Sequence, residues 1–349
     1  MQEELTTILE TAVEQQVFPG AVLAYIKDGE RHTLPVGRLK YDETAPAVRD
    51  ETVYDVASIT KSIPVTAIIL SLIEQKRLSL ESQVVDYLPE LQTNYRQQIQ
   101  VKHLLTYTTI FDLPSGLATY ARKSAKAAMQ AIFTAPLVAP PGEKYLYNNS
   151  PAILLGLIAE RVCDKTLDSI ADERFFQPLG MHHTTFHPER LLNADIAPTE
   201  IDWRGEVHGV VHDETAWALR GAGSIAGNAG LFTTATDLLT FGEMLLAGGV
   251  YQGKRFFSEQ MISAMHTNQI EELGESTGLG WELNQRRFMG GMASTSTFGK
   301  TGFTGSIILI DPGKQAMFVL LSNRTYPQRP TSREGINDVR CAVADIIFG

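Results

Sequence analysis

Ser58 and Lys61 stand three residues apart at the start of an apolar run. On a helix, positions i and i+3 share one face about one turn apart. The spacing therefore brings an amine to a hydroxyl. A serine hydroxyl is a poor nucleophile until a neighbour takes its proton or stabilises its alkoxide, and Lys61 is placed to do so. Downstream, Tyr147-Asn148-Asn149 follows Pro141-Gly142. A tyrosine beside one or two lysines is favoured as phenolate and can act as a base. Asn149 offers a donor and an acceptor to a substrate amide. Lys300-Thr301-Gly302 falls on an expected strand. A strand edge can pair with an extended substrate, and glycine permits its close approach. Lys300 is expected to attract a substrate carboxylate. The backbone N–H of Phe303, with that of Ser58, is expected to point into an oxyanion hole. The chemistry these groups suit is nucleophilic catalysis.

The elements that must position them can be read from periodicity. Residues 2–17 pattern as an amphipathic helix with Leu5, Ile8, Leu9, Ala12 and Val13 on one side. Ala21 to Ile26, a turn at Lys27-Asp28-Gly29-Glu30 and a second short run predict a β-hairpin. Residues 58–76 predict a helix with Ser58 at its N-cap, and Pro64 inside it predicts a kink or a looser first turn that exposes Ser58. From 80 to 220 the pattern is mainly helical with long loops, and Ile153 to Arg161 is a strong helix. Thr236 is expected to cap a helix over 237–247. Four short apolar runs then predict strands at 279–283, 298–302, 306–311 and 316–322, before a last helix over 335–347. Strands at both ends with helices between predict an α/β protein of the α+β type, an antiparallel sheet flanked by helices plus a mainly helical region. Its expected division is residues 1–57 with 221–349 for the sheet region, and 58–220 for the helical one.

The chain has 349 residues, 44% apolar and 20% charged, enough for one large domain or two interleaved ones. A net charge of −10 with no basic run argues against a nucleic-acid partner. The apolar stretch Ile63 to Ile73 reads as too short to span a membrane. The first residues lack the basic start and apolar core of a signal peptide. A cytoplasmic location is expected on that ground, or a periplasmic or extracellular one if a leader has been removed. Cys163 and Cys341 fit no metal or redox spacing and read as two buried thiols.

Ser-x-x-Lys, Tyr-x-Asn and Lys-Thr-Gly in this order resemble the serine hydrolases that include class C β-lactamases, low-mass penicillin-binding proteins and related esterases. The flanks extend the resemblance over nearly the whole chain: Phe18-Pro19-Gly20-Ala21, Pro141 to Asn149, Ala229 to Ala235 and Gly299 to Gly305. Ile196 to Glu200 and Val211-His212-Asp213-Glu214 look most like the penicillin-binding-protein-like members. The resemblance implies a β-lactamase/transpeptidase-like fold and no cofactor. It implies that Ser58 attacks a carbonyl to form an acyl-enzyme. Lys61 and Tyr147 would move protons, with the identity of the base left open. The substrate would be a small molecule or peptide: a β-lactam, a D-alanyl peptide, or a related amide or ester carrying a carboxylate. Small-ester hydrolysis is the alternative, and a non-catalytic binding module the rival from another class. One departure stands out. Similar proteins often carry Leu-Leu-Thr-His-Thr-Ser-Gly where this chain has Leu104-Leu105-Thr106-Tyr107-Thr108-Thr109-Ile110; the lost Ser-Gly turn leaves open the shape of the following loop, expected at the pocket, and weakens an analogy of substrate scope.

Several competing patterns carry less. Gly274-Glu275-Ser276-Thr277-Gly278 matches a nucleophile elbow, but a strand follows it and no histidine comes later. Glu189-Arg190-Leu191-Leu192-Asn193 matches the Glu-x-x-Leu-Asn of class A β-lactamases without the Ser-Asp-Asn that accompanies it there. Gly221 to Ala226 imitates a dinucleotide fingerprint but reads as a loop near the pocket. His182, His183, His187, His208 and His212 read as structural or solvated, with no metal expected.

Overall fold

The computed structural model describes residues 1–191 and 195–349. Six antiparallel strands form the main sheet: β1 (Gly20–Lys27), β2 (Glu30–Gly37), β3 (Glu282–Leu283), β4 (Phe298–Thr301), β5 (Ile307–Asp311) and β6 (Ala316–Ser322). Their order is β2-β1-β6-β5-β4-β3, so the two ends of the chain meet where β1 pairs with β6. The hairpin expected at the N-terminus is present. Asp28 (φ 53) and Gly29 (φ 78) make a two-residue turn whose left-handed residues match strand twist.

Every residue of β6 is buried, because both sheet faces are covered. Leu309, Phe318 and Leu320 face helices α1 (Gln2–Glu14) and α6 (Glu334–Phe348), whose Leu5, Leu9, Val343 and Ile347 share their cluster. Ile308, Met317 and Val319 belong to the larger core on the other face, with Leu238 and Phe241 of α5 (Ala235–Leu246). Each such side chain removed from water stabilises the fold by about 1.5–3 kcal/mol. The polar α1 residues stay outside, as the amphipathic pattern requires.

Two helix starts differ from expectation. Thr234, not Thr236, caps α5, its hydroxyl accepting the Asp237 N–H at 3.2 Å. Ser58 is not an N-cap. It sits inside a 3₁₀ turn, Ala57–Lys61, followed by an irregular turn, Ser62–Thr66, and then by helix α2 (Ala67–Glu74). The kink expected from Pro64 is there. Ile63 is extended (φ −121, ψ 108), as the clash of a proline ring with the residue before it demands. The stretch Ala57–Glu74 is long and apolar enough to cross a membrane, which the narrower Ile63–Ile73 window did not show, and 83% of it is buried inside this fold. The central part of the chain is mostly short helices with α3 (Ser150–Cys163) the longest, then α4 (Glu214–Gly221), and includes a ribbon of Glu200–Asp202 with Gly205–Val207. Cys163 and Cys341 are free and half-buried rather than fully enclosed.

Candidate active site

The turn that carries Ser58 is built by Asp55. Its fully buried carboxylate accepts the Ala57 N–H through Oδ1 and the His212 N–H through Oδ2, each at 2.8 Å. Ala57 is held at φ 45, a costly conformation for an L-residue that persists only when its surroundings impose it. Asp55 and the close packing of Gly302 impose it here. A Cβ on Gly302 would lie 2.4 Å from the Val56 carbonyl oxygen, so only glycine lets β4's end close on this turn. In a 3₁₀ helix residues i and i+3 eclipse. Lys61 thus stands directly over Ser58, Nζ donating to Oγ at 2.8 Å.

Lys61 is 1% exposed. Its Nζ also donates to the Asn228 carbonyl at 2.8 Å. Burial pushes the amine down to about 7; Asp213 and Glu282 oppose that fall, and Lys300 adds to it. A lysine of this kind holds a large neutral fraction near pH 7 and can accept a proton from serine. Tyr147 behaves differently from the phenolate expected of it. Burial raises its phenol well above the ordinary value, and the pull of Lys300 only partly offsets this.

Lys300 is fully buried. Its Nζ lies 4.8 Å from the Tyr107 ring centre and 4.5 Å from that of Tyr147, and donates to the Tyr107 hydroxyl at 3.2 Å. The ammonium is therefore held between two aromatic faces, an arrangement that stabilises a cation without solvent. Like Lys61, it stands behind the residues that form the cavity wall rather than among them. Tyr107 is the residue that sequence reasoning missed. Its signal was the departure at that position from the stretch that the sequence resemblance implies. Residues 110–116 of the following loop do not reach the cavity wall either.

The cavity has a volume of about 610 Å³ and is lined by Ser58, Tyr147, Asn149, Thr301, Gly302 and Phe303, among others. Asn148 spends its side chain on the Leu146 carbonyl at 2.9 Å and the Ser150 N–H at 3.2 Å. The Asn149 amide, just before α3, has no partner among the described residues and is left for a ligand. Short β3 reaches β4 at Phe298 and Gly299 and stops there. The outer edge of Thr301 meets no strand; its N–H and hydroxyl reach the Glu282 carboxylate at 3.3 and 3.4 Å. The Phe303 N–H has no acceptor among the described residues and is free for an oxyanion.

Arginines crowd the far wall. Arg340, 3% exposed, donates to the carbonyls of Gly305 and Ser306 at 3.0 and 2.9 Å and fixes the turn after β4. Arg324, Arg329 and Arg333 lie 5.5, 5.8 and 5.5 Å from the Phe303 ring centre, and His212 stacks on that ring at 5.7 Å. Glu200 and Glu214 neutralise Arg329, at 2.6 and 3.2 Å. Arg324 is 4% exposed, and burial, then Arg333, bring it down to about 10. Neither Arg324 nor Arg333 has a carboxylate partner among the described residues.

A family model for β-lactamases matches residues 5–339. The chain belongs to the β-lactamase family. It is a serine hydrolase of that family, with the β-lactamase/transpeptidase-like fold. A putative D-alanyl-D-alanine carboxypeptidase of Escherichia coli K12 is 28% identical over 356 residues, 90% of this chain and 81% of that protein. Among solved structures, EstCE1, a hydrolase with promiscuous acyltransferase activity, superimposes with a TM-score of 0.79 at 19% identity, covering 100% of this chain and 98% of its own. A class C β-lactamase does so with a TM-score of 0.74 at 17% identity, covering 99% and 98%.

The competing patterns lie elsewhere. Ser276 accepts from Asn284 Nδ2 at 2.8 Å in a turn before β3 and is not on the cavity wall. Glu189 pairs with Arg220 at 2.7 Å, while Leu192 and Asn193 of that match lie outside the described residues. The 221–226 loop was expected near the pocket; its Gly223, Ser224 and Ile225 border a separate open groove with Arg220 and His187.

Proposed function

We propose that this hydrolase cleaves a small amide or ester carrying an anionic group, through an acyl-enzyme on Ser58. The observation that carries the reading is the Lys61 Nζ to Ser58 Oγ contact of 2.8 Å at a cavity whose wall includes Arg324 and Arg333, neither paired with a carboxylate among the described residues. Lys61, lowered by burial, is the base that takes the serine proton. Tyr147, raised by burial, is a neutral donor suited to protonating the leaving group. The N–H groups of Phe303 and Ser58 would hold the developing oxyanion, and Asn149 and Thr301 would orient the substrate amide. Lys300 acts from behind, as a fixed positive charge under the tyrosines. The substrate anion docks on Arg324 and Arg333, which present planar donors suited to a carboxylate. β-Lactams and D-alanyl peptides carry such a group, as the names of the relatives suggest for this chain.

The test is intact-mass analysis after incubation with a fluorescent penicillin and, separately, p-nitrophenyl acetate, using wild type, Ser58→Ala and Arg324→Ala. A penicillin adduct that requires Ser58 marks slow deacylation. Penicillin turnover without an adduct marks a β-lactamase, and ester turnover alone an esterase. Arg324→Ala should raise KM for penicillin about tenfold or more and leave the neutral ester little changed. Reaction that persists in Ser58→Ala would refute the reading.

A further inference from the structure

Lys61 has two acceptors, and only one of them is the nucleophile. The other, the Asn228 carbonyl, belongs to a fully buried residue whose side-chain Nδ2 donates onward to Asp213 Oδ1 at 3.0 Å. A continuous chain thus runs from Ser58 through Lys61 and Asn228 to Asp213. The same Oδ1 accepts the Ala216 N–H at 2.9 Å and caps α4. Oδ2 has no hydrogen-bond partner among the described residues, and Asp213 lines the cavity that holds Ser58. Capping alone explains little of this. Asparagine or serine caps a helix as well as aspartate, and a cap has no need of a bond to the residue that holds a catalytic amine.

We infer that Asp213 is a positioning residue for the reaction: through Asn228 it holds the Lys61 amine against Ser58, and its carboxylate stabilises the ammonium formed during acylation. This rests on the reading of Ser58 and Lys61 as the reacting pair. As Ser58 Oγ bonds the substrate carbonyl carbon, the carbonyl electron pair moves onto its oxygen and the hydroxyl proton passes to Lys61 Nζ. The new ammonium faces three charges. Lys300 on β4 opposes it, whereas Glu282 on β3 and Asp213 at the start of α4 favour it, and Asp213 has the largest influence of the three. Around Asp213 itself stand the buried Asp55 and the neighbouring His212. Glu214 points away, paired with Arg122 at 2.8 Å and Arg329 at 3.2 Å.

The experiment is the pH dependence of kcat/KM for p-nitrophenyl acetate in wild type, Asp213→Asn and Asp213→Glu, with Ser58→Ala as control. Asparagine keeps the cap and the acceptor for Asn228 but removes the charge. Without that charge the ammonium is less stable and the amine is neutral at lower pH. The acid limb of Asp213→Asn should therefore move down by about one pH unit. Asp213→Glu, which keeps the charge, should retain the wild-type limb at a reduced rate. A limb in Asp213→Asn that coincides with wild type would reduce Asp213 to a helix cap and overturn the inference. Should Asp213→Asn fail to fold, Asn228→Ala carries the test, because it cuts the link while leaving the backbone carbonyl. A several-fold loss of kcat at constant KM is then expected, and unchanged kcat overturns the inference. Turnover surviving in Ser58→Ala would instead sink the underlying assignment of the nucleophile.

Discussion

Replacing Lys61 by methionine should abolish acylation and make the protein more stable. The lysine is 1% exposed and falls from its ordinary 10.5 to about 7, chiefly because burial disfavours the charged form. At 1.36 kcal/mol per pH unit, that gap is a cost of about 5 kcal/mol at and below pH 7. Methionine removes this cost but leaves the Asn228 carbonyl without its donor, which costs about 1–3 kcal/mol. A net gain of about 2–4 kcal/mol remains, or roughly 3–5 °C in Tm for a chain of this size. The pH dependence is the sharper readout. The folded value lies below the unfolded one, so the unfolded chain binds more protons between about pH 7 and 10.5. The contribution of Lys61 therefore becomes less unfavourable as pH rises through that window, and is fully unfavourable below it. Urea denaturation of wild type and Lys61→Met at pH 7, 8 and 9 separates the two slopes. Wild type should gain stability relative to the variant as pH rises. Parallel slopes, with a variant less stable at pH 7, would show that the amine is not held neutral, and the assignment of Lys61 as base would fall with it.

Gly302→Ala should lower the acylation rate about a hundredfold while far-UV circular dichroism stays native, because the added Cβ would sit 2.4 Å from the Val56 carbonyl and displace the Ser58 turn. Wild-type acylation in that variant would contradict the close packing of β4 on the nucleophile. Tyr107→Phe removes the hydroxyl that accepts from the buried Lys300 at 3.2 Å. It should cost about 1–3 kcal/mol in urea denaturation, and an unchanged midpoint would show that the two aromatic faces suffice to hold the ammonium.

What the sequence determined by itself is the local chemistry. Ser58 and Lys61 can meet because their spacing is one helical turn, although the turn is 3₁₀, Ser58 lies inside it, and contacts from Asp55 and Gly302 hold its shape. The Asp28-Gly29 hairpin, the strand Ala316 to Ser322 and the last helix were legible for the same reason, since turn type and period are properties of a few neighbouring residues. Strand ends at 279–283 were not. Only Glu282–Leu283 pairs, because pairing depends on a partner outside the segment. The fate of the charges was also decided by tertiary structure. Lys300 was expected in the pocket as a cation for substrate; packing against Tyr107, 193 residues away, buries it instead. Tyr147 was expected as phenolate; burial outweighs its lysine neighbour. Asn228 joins Lys61 to Asp213 across 167 residues of chain, and the arginines gather around Phe303 from segments that carry no motif. A pattern of residue types fixes which groups are available, but loss of water and the pull of neighbouring charges depend on distances that only the folded chain defines.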